Sequence, residues 1–176
     1  GALSETMMAL EPNIGTWPLV PKALAKLPLT ALLAACATPG NYDLVNDGKN
    51  TDNILTYGMG YSQQRYSPLA QINKSNVKRL APVWSHSLAN ASGEHAQPTV
   101  YNGVMYIVNG LWTVALDVAT GKPIWRTPAE FERAALRVGN AGAIMRGGAT
   151  IYEGKLFRET LDNHVVALDM KTGKEI

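Results

Sequence analysis

Apolar and polar positions recur twice along this chain in nearly the same order. The first pass runs Tyr101-Asn-Gly103, Val104–Val108, Val114-Ala-Leu-Asp117, Thr120-Gly-Lys122 and Pro123-Ile-Trp125. The second runs Tyr152-Glu-Gly154, Lys155–Glu159, Val165–Leu168 with Asp169, Thr172-Gly-Lys174 and Ile176. Asp117 and Asp169 stand 52 residues apart, Gly103 and Gly154 51 apart. Strand-bearing repeats with a period of roughly 40–50 residues mark propeller blades.

Each repeat follows the same physical logic. Tyr-x-Gly is a tight turn that needs positive φ. The runs Val104–Val108 and Lys155–Glu159 have strand propensity, as do Val114–Leu116 and Val165–Leu168. Asp-x-x-Thr-Gly-Lys then turns the chain: the Asp and Thr oxygens accept from backbone N–H groups and Gly takes the left-handed position. Lys122–Trp125 opens a last strand, and its aromatic can wedge between neighbours. One such sheet cannot bury both faces by itself, so copies must pack beside it. The predicted fold is all-β, a partial β-propeller of four-stranded antiparallel blades, with repeat units at about 94–125 and 146–176.

Composition narrows the function classes. The chain has 176 residues, 46% of them hydrophobic and 17% charged, a globular balance with the length of about one domain. A net charge of +2 without a long basic run excludes nucleic acid and an acidic membrane surface as obvious partners. With one cysteine, Cys36, the chain can form neither an internal disulfide nor a thiolate metal cluster. His86, His95 and His164 lack metal-ligand spacing.

Residues 1–37 differ from the rest of the chain. Lys22 and Lys26 precede the apolar stretch Leu27–Ala35, too short for a membrane span of about 20 residues. The order of charged, apolar and small residues fits a secretory signal, which implies export to the periplasm. Gly1 is not an initiator, and Met7 and Met8 are candidate starts. Ala35-Cys-Ala37 is a cleavage-site pattern. Leu33-Ala-Ala-Cys36 also matches a lipobox, in which Cys36 would carry a lipid and attach the protein to a membrane. A third reading makes Cys36 a small buried hydrophobe in a helix. Residues 38–52 form a polar lead-in with turn signals at Pro39-Gly40 and Asn46-Asp-Gly48.

From residue 53 onward, tyrosines at 57, 61 and 66 are set among glycines and Arg65, in the manner of a loop that packs on a scaffold. A helical turn is predicted over Ser75–Leu80, and Pro82-Val-Trp84 begins an extended strand. Thr127-Pro-Ala-Glu130 has a capping-box pattern and predicts a short helix through Phe131 and Ala135. Residues 139–148 form a glycine-rich loop. Tyr57-Gly, Tyr61, Arg65-Tyr-Ser-Pro-Leu69, Gln71-Ile-Asn73, Asn76-Val77, Leu80 and Trp84 together resemble the N-terminal region of the quinoprotein alcohol dehydrogenases. These are the pyrroloquinoline quinone (PQQ) enzymes related to methanol dehydrogenase. The resemblance continues through Glu94, Pro98, Asn102–Tyr106, Arg146-Gly147 and Thr160-Leu-Asp162, and covers about residues 53–176.

That resemblance implies that the chain holds the first two blades of an eight-bladed propeller. It implies that Glu94 and Arg146 line a quinone pocket, with Ile144 as an apolar contact. A guanidinium suits a planar tricarboxylate because it stays charged and offers a fork of donors. The implied reaction is alcohol oxidation, with Ca²⁺ or a lanthanide as Lewis acid and a cytochrome c-type electron acceptor. The family's metal ligands and catalytic aspartate come from later blades, so neither is expected within these residues. The chain departs from the pattern at Asn140-Ala141, where family members commonly carry a vicinal cysteine pair, and at Gly142-Ala143, where an acidic residue is usual. Arg158-Glu159 replaces an apolar–Gly pair, which suggests an exposed edge or a degenerate blade. Two other functions compete with the dehydrogenase: a non-catalytic propeller lipoprotein serving as an interaction scaffold, and a two-blade remnant that self-associates to close a ring.

Overall fold

The computed structural model describes residues 38–50, 52–89, 95–131 and 147–176. A short helix, α1 (Asn41–Val45), starts at Gly40, whose N–H donates to the Asp43 carboxylate at 2.9 Å. A 3-10 turn over Asp47–Lys49 comes next. Asp47 lies in the polar lead-in, yet it is fully buried. Its carboxylate accepts from the N–H groups of Leu55 at 2.8 Å and Thr56 at 2.9 Å, and from the Thr56 hydroxyl at 2.6 Å. A buried carboxylate needs such donors to offset lost hydration. Here they anchor the segment that carries Leu55 into the core. Ile54 then pairs with Val100, extending the first sheet by one bridge.

That sheet has four antiparallel strands in sequence order: β1 (Thr99–Tyr101), β2 (Val104–Val108), β3 (Trp112–Asp117) and β4 (Pro123–Pro128). The second sheet holds β5 (Thr150–Tyr152), β6 (Lys155–Glu159) and β7 (Val165–Asp169). Leu168 also bridges to Glu175, as Leu116 pairs with Pro123 in the first sheet. The two hairpin turns expected from Tyr-x-Gly place both central residues at positive φ: Asn102 and Gly103 at 48° and 75°, Glu153 and Gly154 at 47° and 79°. That conformation matches the twist of the flanking strands.

The sheets pack face to face through Tyr106, Val108 and Ala115 of the first and Ile151, Leu156 and Leu168 of the second, with Leu55, Ala149 and Met170. Each fully buried aliphatic side chain contributes about 1.5–3 kcal/mol. Trp125 fulfils its predicted wedge. Its ring covers Gly173, where a Cβ would come within 2.5 Å of the indole, and its Nε1 donates to the Met170 carbonyl at 3.0 Å. Tyr106 packs beside it, ring centres 6.0 Å apart, and burial pushes its phenol up to about 12.

Three expectations change. Arg158 is not on an exposed edge: β6 is the central strand of its sheet and Arg158 is 4% exposed. Its guanidinium crosses to the first sheet, donating to the carbonyls of Asn109 at 3.0 Å and Trp112 at 3.1 Å and to the Thr113 hydroxyl at 3.0 Å. Nε donates to the Glu159 carbonyl at 3.1 Å. An arginine is thus buried at the sheet boundary by satisfying a loop's carbonyls rather than by meeting a carboxylate. Burial pushes it down to about 10, which leaves it cationic at neutral pH. Pro128 does not open a helix. It ends β4, and the Thr127 hydroxyl that would cap one donates instead to the Gly173 carbonyl at 2.6 Å. The predicted continuation through Ala135 lies outside the described residues. The turn over Ser75–Leu80 forms as a 3-10 turn at Val77–Arg79, but Pro82-Val-Trp84 pairs with no strand among the described residues.

Two outcomes test this packing. Arg158→Met orphans three acceptors and a shaped space, so urea unfolding should show a loss of about 2–4 kcal/mol, with Arg158→Lys between. Unchanged stability would mean that the clamp does not hold the sheets together. The turn carboxylates of Asp117 and Asp169 are held below the ordinary range, chiefly by the hydroxyls of Thr120 and Thr172. A depressed carboxylate stabilises the fold fully above its unfolded pKa of about 4, and that contribution is lost as pH falls through the folded value. The Thr120→Ala, Thr172→Ala double variant should therefore lose less stability than the parent between about pH 6 and about pH 3. Parallel pH profiles would contradict this.

Candidate functional site

Glu94, Ile144, Arg146 and Cys36 lie outside the described residues. The described chain resumes at His95 and at Gly147, and from each point a short approach segment leads into a first strand, β1 or β5. The two approach segments meet directly. The Thr99 hydroxyl, buried at the start of β1, donates to the Ala149 carbonyl at 2.9 Å. Gly148 passes so close to the other segment that a Cβ there would stand 2.5 Å from the Gln97 carbonyl oxygen. Any larger residue would push the two segments apart.

Gln97 extends the junction toward the tyrosine–glycine loop. Its Oε1 accepts from the Gly58 N–H at 2.9 Å, and its Nε2 donates to the Thr56 carbonyl at 3.1 Å. The loop carries left-handed backbone at Met59, Gln63 and Arg65. Such conformations cost free energy unless the surroundings hold them. The Arg65 N–H donates to the Gly58 carbonyl at 2.8 Å, and its guanidinium lies 5.2 Å from the Tyr57 ring centre, with an N–H donated to the phenol oxygen at 2.6 Å. A cavity of about 490 Å³ opens between this loop and the approach segments, lined by Tyr57, Tyr61, Gln97, Thr99 and Gly147–Thr150 among others.

The approach segment to β5 has a cavity on its other side too, of about 470 Å³, lined by Gly147, Gly148, Phe157, Arg158, Thr160 and Asn163 among others. Beneath it, the Arg158 clamp fixes the Asn109–Thr113 turn at the same end of the first sheet. The Thr160 hydroxyl donates to Asp162, and Asp162 also stands 3.1 Å from the imidazole of exposed His164. Among the described residues no group of three His, Cys, Asp or Glu could hold a metal ion. Among them, too, no helix is long and apolar enough to cross a membrane.

Sequence reasoning picked out charged residues and missed the frame. Gln97, Thr99 and Gly148 have no motif of their own. The one available signal was position, just before the repeated Tyr-x-Gly hairpins. For a flat anionic ring the frame suits one wall: narrow, glycine-lined, and built of neutral donors and acceptors already satisfied by each other. Charge recognition there must come from Arg146 or from residues elsewhere.

Comparison with known proteins agrees with this architecture. Residues 55–176 match the family model for the PQQ glucose/ethanol/alcohol dehydrogenase β-propeller domain. The 1-butanol dehydrogenase (quinone) of Thauera butanivorans is 39% identical over 150 residues, covering 83% of this chain but 24% of that protein. Quinohemoprotein alcohol dehydrogenase ADHIIG of Pseudomonas putida superposes with a TM-score of 0.72 at 32% identity, over 78% of this chain and 20% of its own. A europium-containing methanol dehydrogenase gives a TM-score of 0.68 at 32% identity, over 77% and 24%. The chain thus spans about a quarter or less of the relatives it matches. With two repeat sheets joined by tryptophan on glycine, and a family match from Leu55 to the last residue, this chain belongs to the PQQ alcohol dehydrogenase β-propeller family.

Proposed function

We propose that this chain forms one wall of the quinone pocket of a PQQ-dependent dehydrogenase that oxidises alcohols. The observation that carries the reading is the stitched pair of approach segments. Thr99 and Gly148 hold together the two segments that come just after Glu94 and Arg146 in the chain. Family membership supports the cofactor class.

Bound PQQ supplies a two-electron acceptor, and Ca²⁺ or a lanthanide beside it supplies a Lewis acid. The europium in a structural relative's name favours the lanthanide option. This chain's own part is binding and orientation. Arg146 presents a fixed positive fork to a cofactor carboxylate. Glu94 accepts a hydrogen bond at the cofactor's edge, and Ile144 gives an apolar contact to the ring. Close packing of Gly148 on Gln97 keeps the wall narrow and excludes water. Metal ligands and the general base belong to further blades, and electrons leave to a cytochrome c-type acceptor. Residues 1–37 direct export to the periplasm, with Cys36 lipidation as a variant of that route.

The test is quinone binding by the purified native gene product, followed by absorbance and fluorescence titration. PQQ should bind, and Arg146→Ala should weaken it by at least about tenfold with the circular dichroism unchanged. Failure of the native protein to take up quinone would overturn the dehydrogenase reading and leave a scaffold. Binding that is indifferent to Arg146→Ala and Glu94→Gln would overturn these two residues alone.

A further inference from the structure

Trp84 repeats, against the first sheet, what Trp125 does against the second. Trp125 lies on Gly173, and Trp84 lies on Gly121, where a Cβ would come within 2.4 Å of its indole. Trp125 Nε1 donates to the Met170 carbonyl at 3.0 Å, and Trp84 Nε1 donates to the Val118 carbonyl at 2.8 Å. Gly121 and Gly173 are equivalent turn glycines, both in the left-handed region, at 68° and 70°. Val118 and Met170 each come directly after the turn aspartate.

The equivalence extends past the indole. Pro82-Val-Trp84 matches Pro123-Ile-Trp125, and from Pro82 to Ser87 the side chains alternate between exposed and half-buried in the same order as along β4. The difference is hydrogen bonding. β4 pairs with β3, with Trp125 opposite Ala115. Among the described residues, the backbone of 82–87 joins no other strand. Upstream, Leu69, Ile72, Val77 and Leu80 also present their side chains to solvent, and Val83 is 86% exposed. A strand posed by its tryptophan but lacking a neighbour presents a row of unpaired donors and acceptors.

We propose that Pro82–Ser87 is the outer, fourth strand of a further blade, whose three inner strands are supplied by the same polypeptide outside these 176 residues. That blade stands to the β1–β4 sheet as the β1–β4 sheet stands to β5–β7. Its third strand pairs with residues 82–87 as β3 pairs with β4, which calls for a small residue facing Trp84, as Ala115 faces Trp125, and apolar residues to cover Val83 and Leu80. The source within one polypeptide is argued from length, since the chain spans 24% of the butanol dehydrogenase it matches. The inference rests on the repeat and the family, and stands apart from the quinone-binding reading.

Two measurements on the native gene product decide it. Hydrogen exchange should show residues 82–87 protected to within about tenfold of β4, and about a hundredfold beyond residues 69–76. A photo-crosslinker replacing Val83 should give a product at monomer mass, mapping to a sequence outside these 176 residues. Exchange as fast as in residues 69–76 would overturn the proposal. So would crosslinks that join isotopically distinct copies in a mixed sample, because the occupant would then be a second molecule. Neither readout depends on quinone, so failure here and failure of the dehydrogenase reading are separable.

Discussion

The contact on which this structure depends is an indole laid on a glycine. A four-stranded sheet of this repeat has apolar side chains on both faces and no means of covering both alone. Trp125 solves part of that problem by reaching from the last strand of one sheet to the Thr-Gly-Lys turn of the next. The turn must offer a bare backbone there, because any Cβ on Gly173 would occupy the space of the ring. Positive φ and close approach are two separate demands on one position, and glycine meets both. Once the indole is seated, Tyr106, Met170 and Leu168 close around it and the core becomes continuous across two sheets.

The opposite end of the interface uses a different solution. Arg158 satisfies the carbonyls of a neighbouring turn from within the sheet boundary. A buried cation of this kind is costly without partners. Its donors are spread over neutral acceptors, so the charge is solvated by the protein instead of neutralised. The end it braces is the one where both first strands begin and where Thr99 and Gly148 join the approach segments. Rigidity at this end is what a cofactor wall requires, since a binding group displaced by about 1 Å loses much of its value.

The polar lead-in contributes more than its composition suggests. Asp47 is buried because three donors from Leu55 and Thr56 converge on it, and this brings the tyrosine–glycine loop against the approach segments. The strained backbone at Met59, Gln63 and Arg65 is then held by Gln97 and by local hydrogen bonds. A cavity between loop and strands results from these constraints together.

The sequence by itself determined the repeat, the strands and the turns. Local chemistry decides those: alternation for β2 and β6, Asp and Thr oxygens for the long turns, and glycine at positive φ for the hairpins. It also identified Trp125 as the wedge, because an aromatic at the end of each repeat has no partner within its own sheet. Only the tertiary structure decided which polar residues are buried. Arg158 and Asp47 are read from sequence as surface charges, since nothing nearby in the chain supplies their partners; those partners lie 45 to 49 residues away for Arg158 and 8 to 9 for Asp47. The fate of Pro82–Ser87 shows the same limit. Its strand propensity is local, whereas a strand exists as such only when another backbone lies beside it.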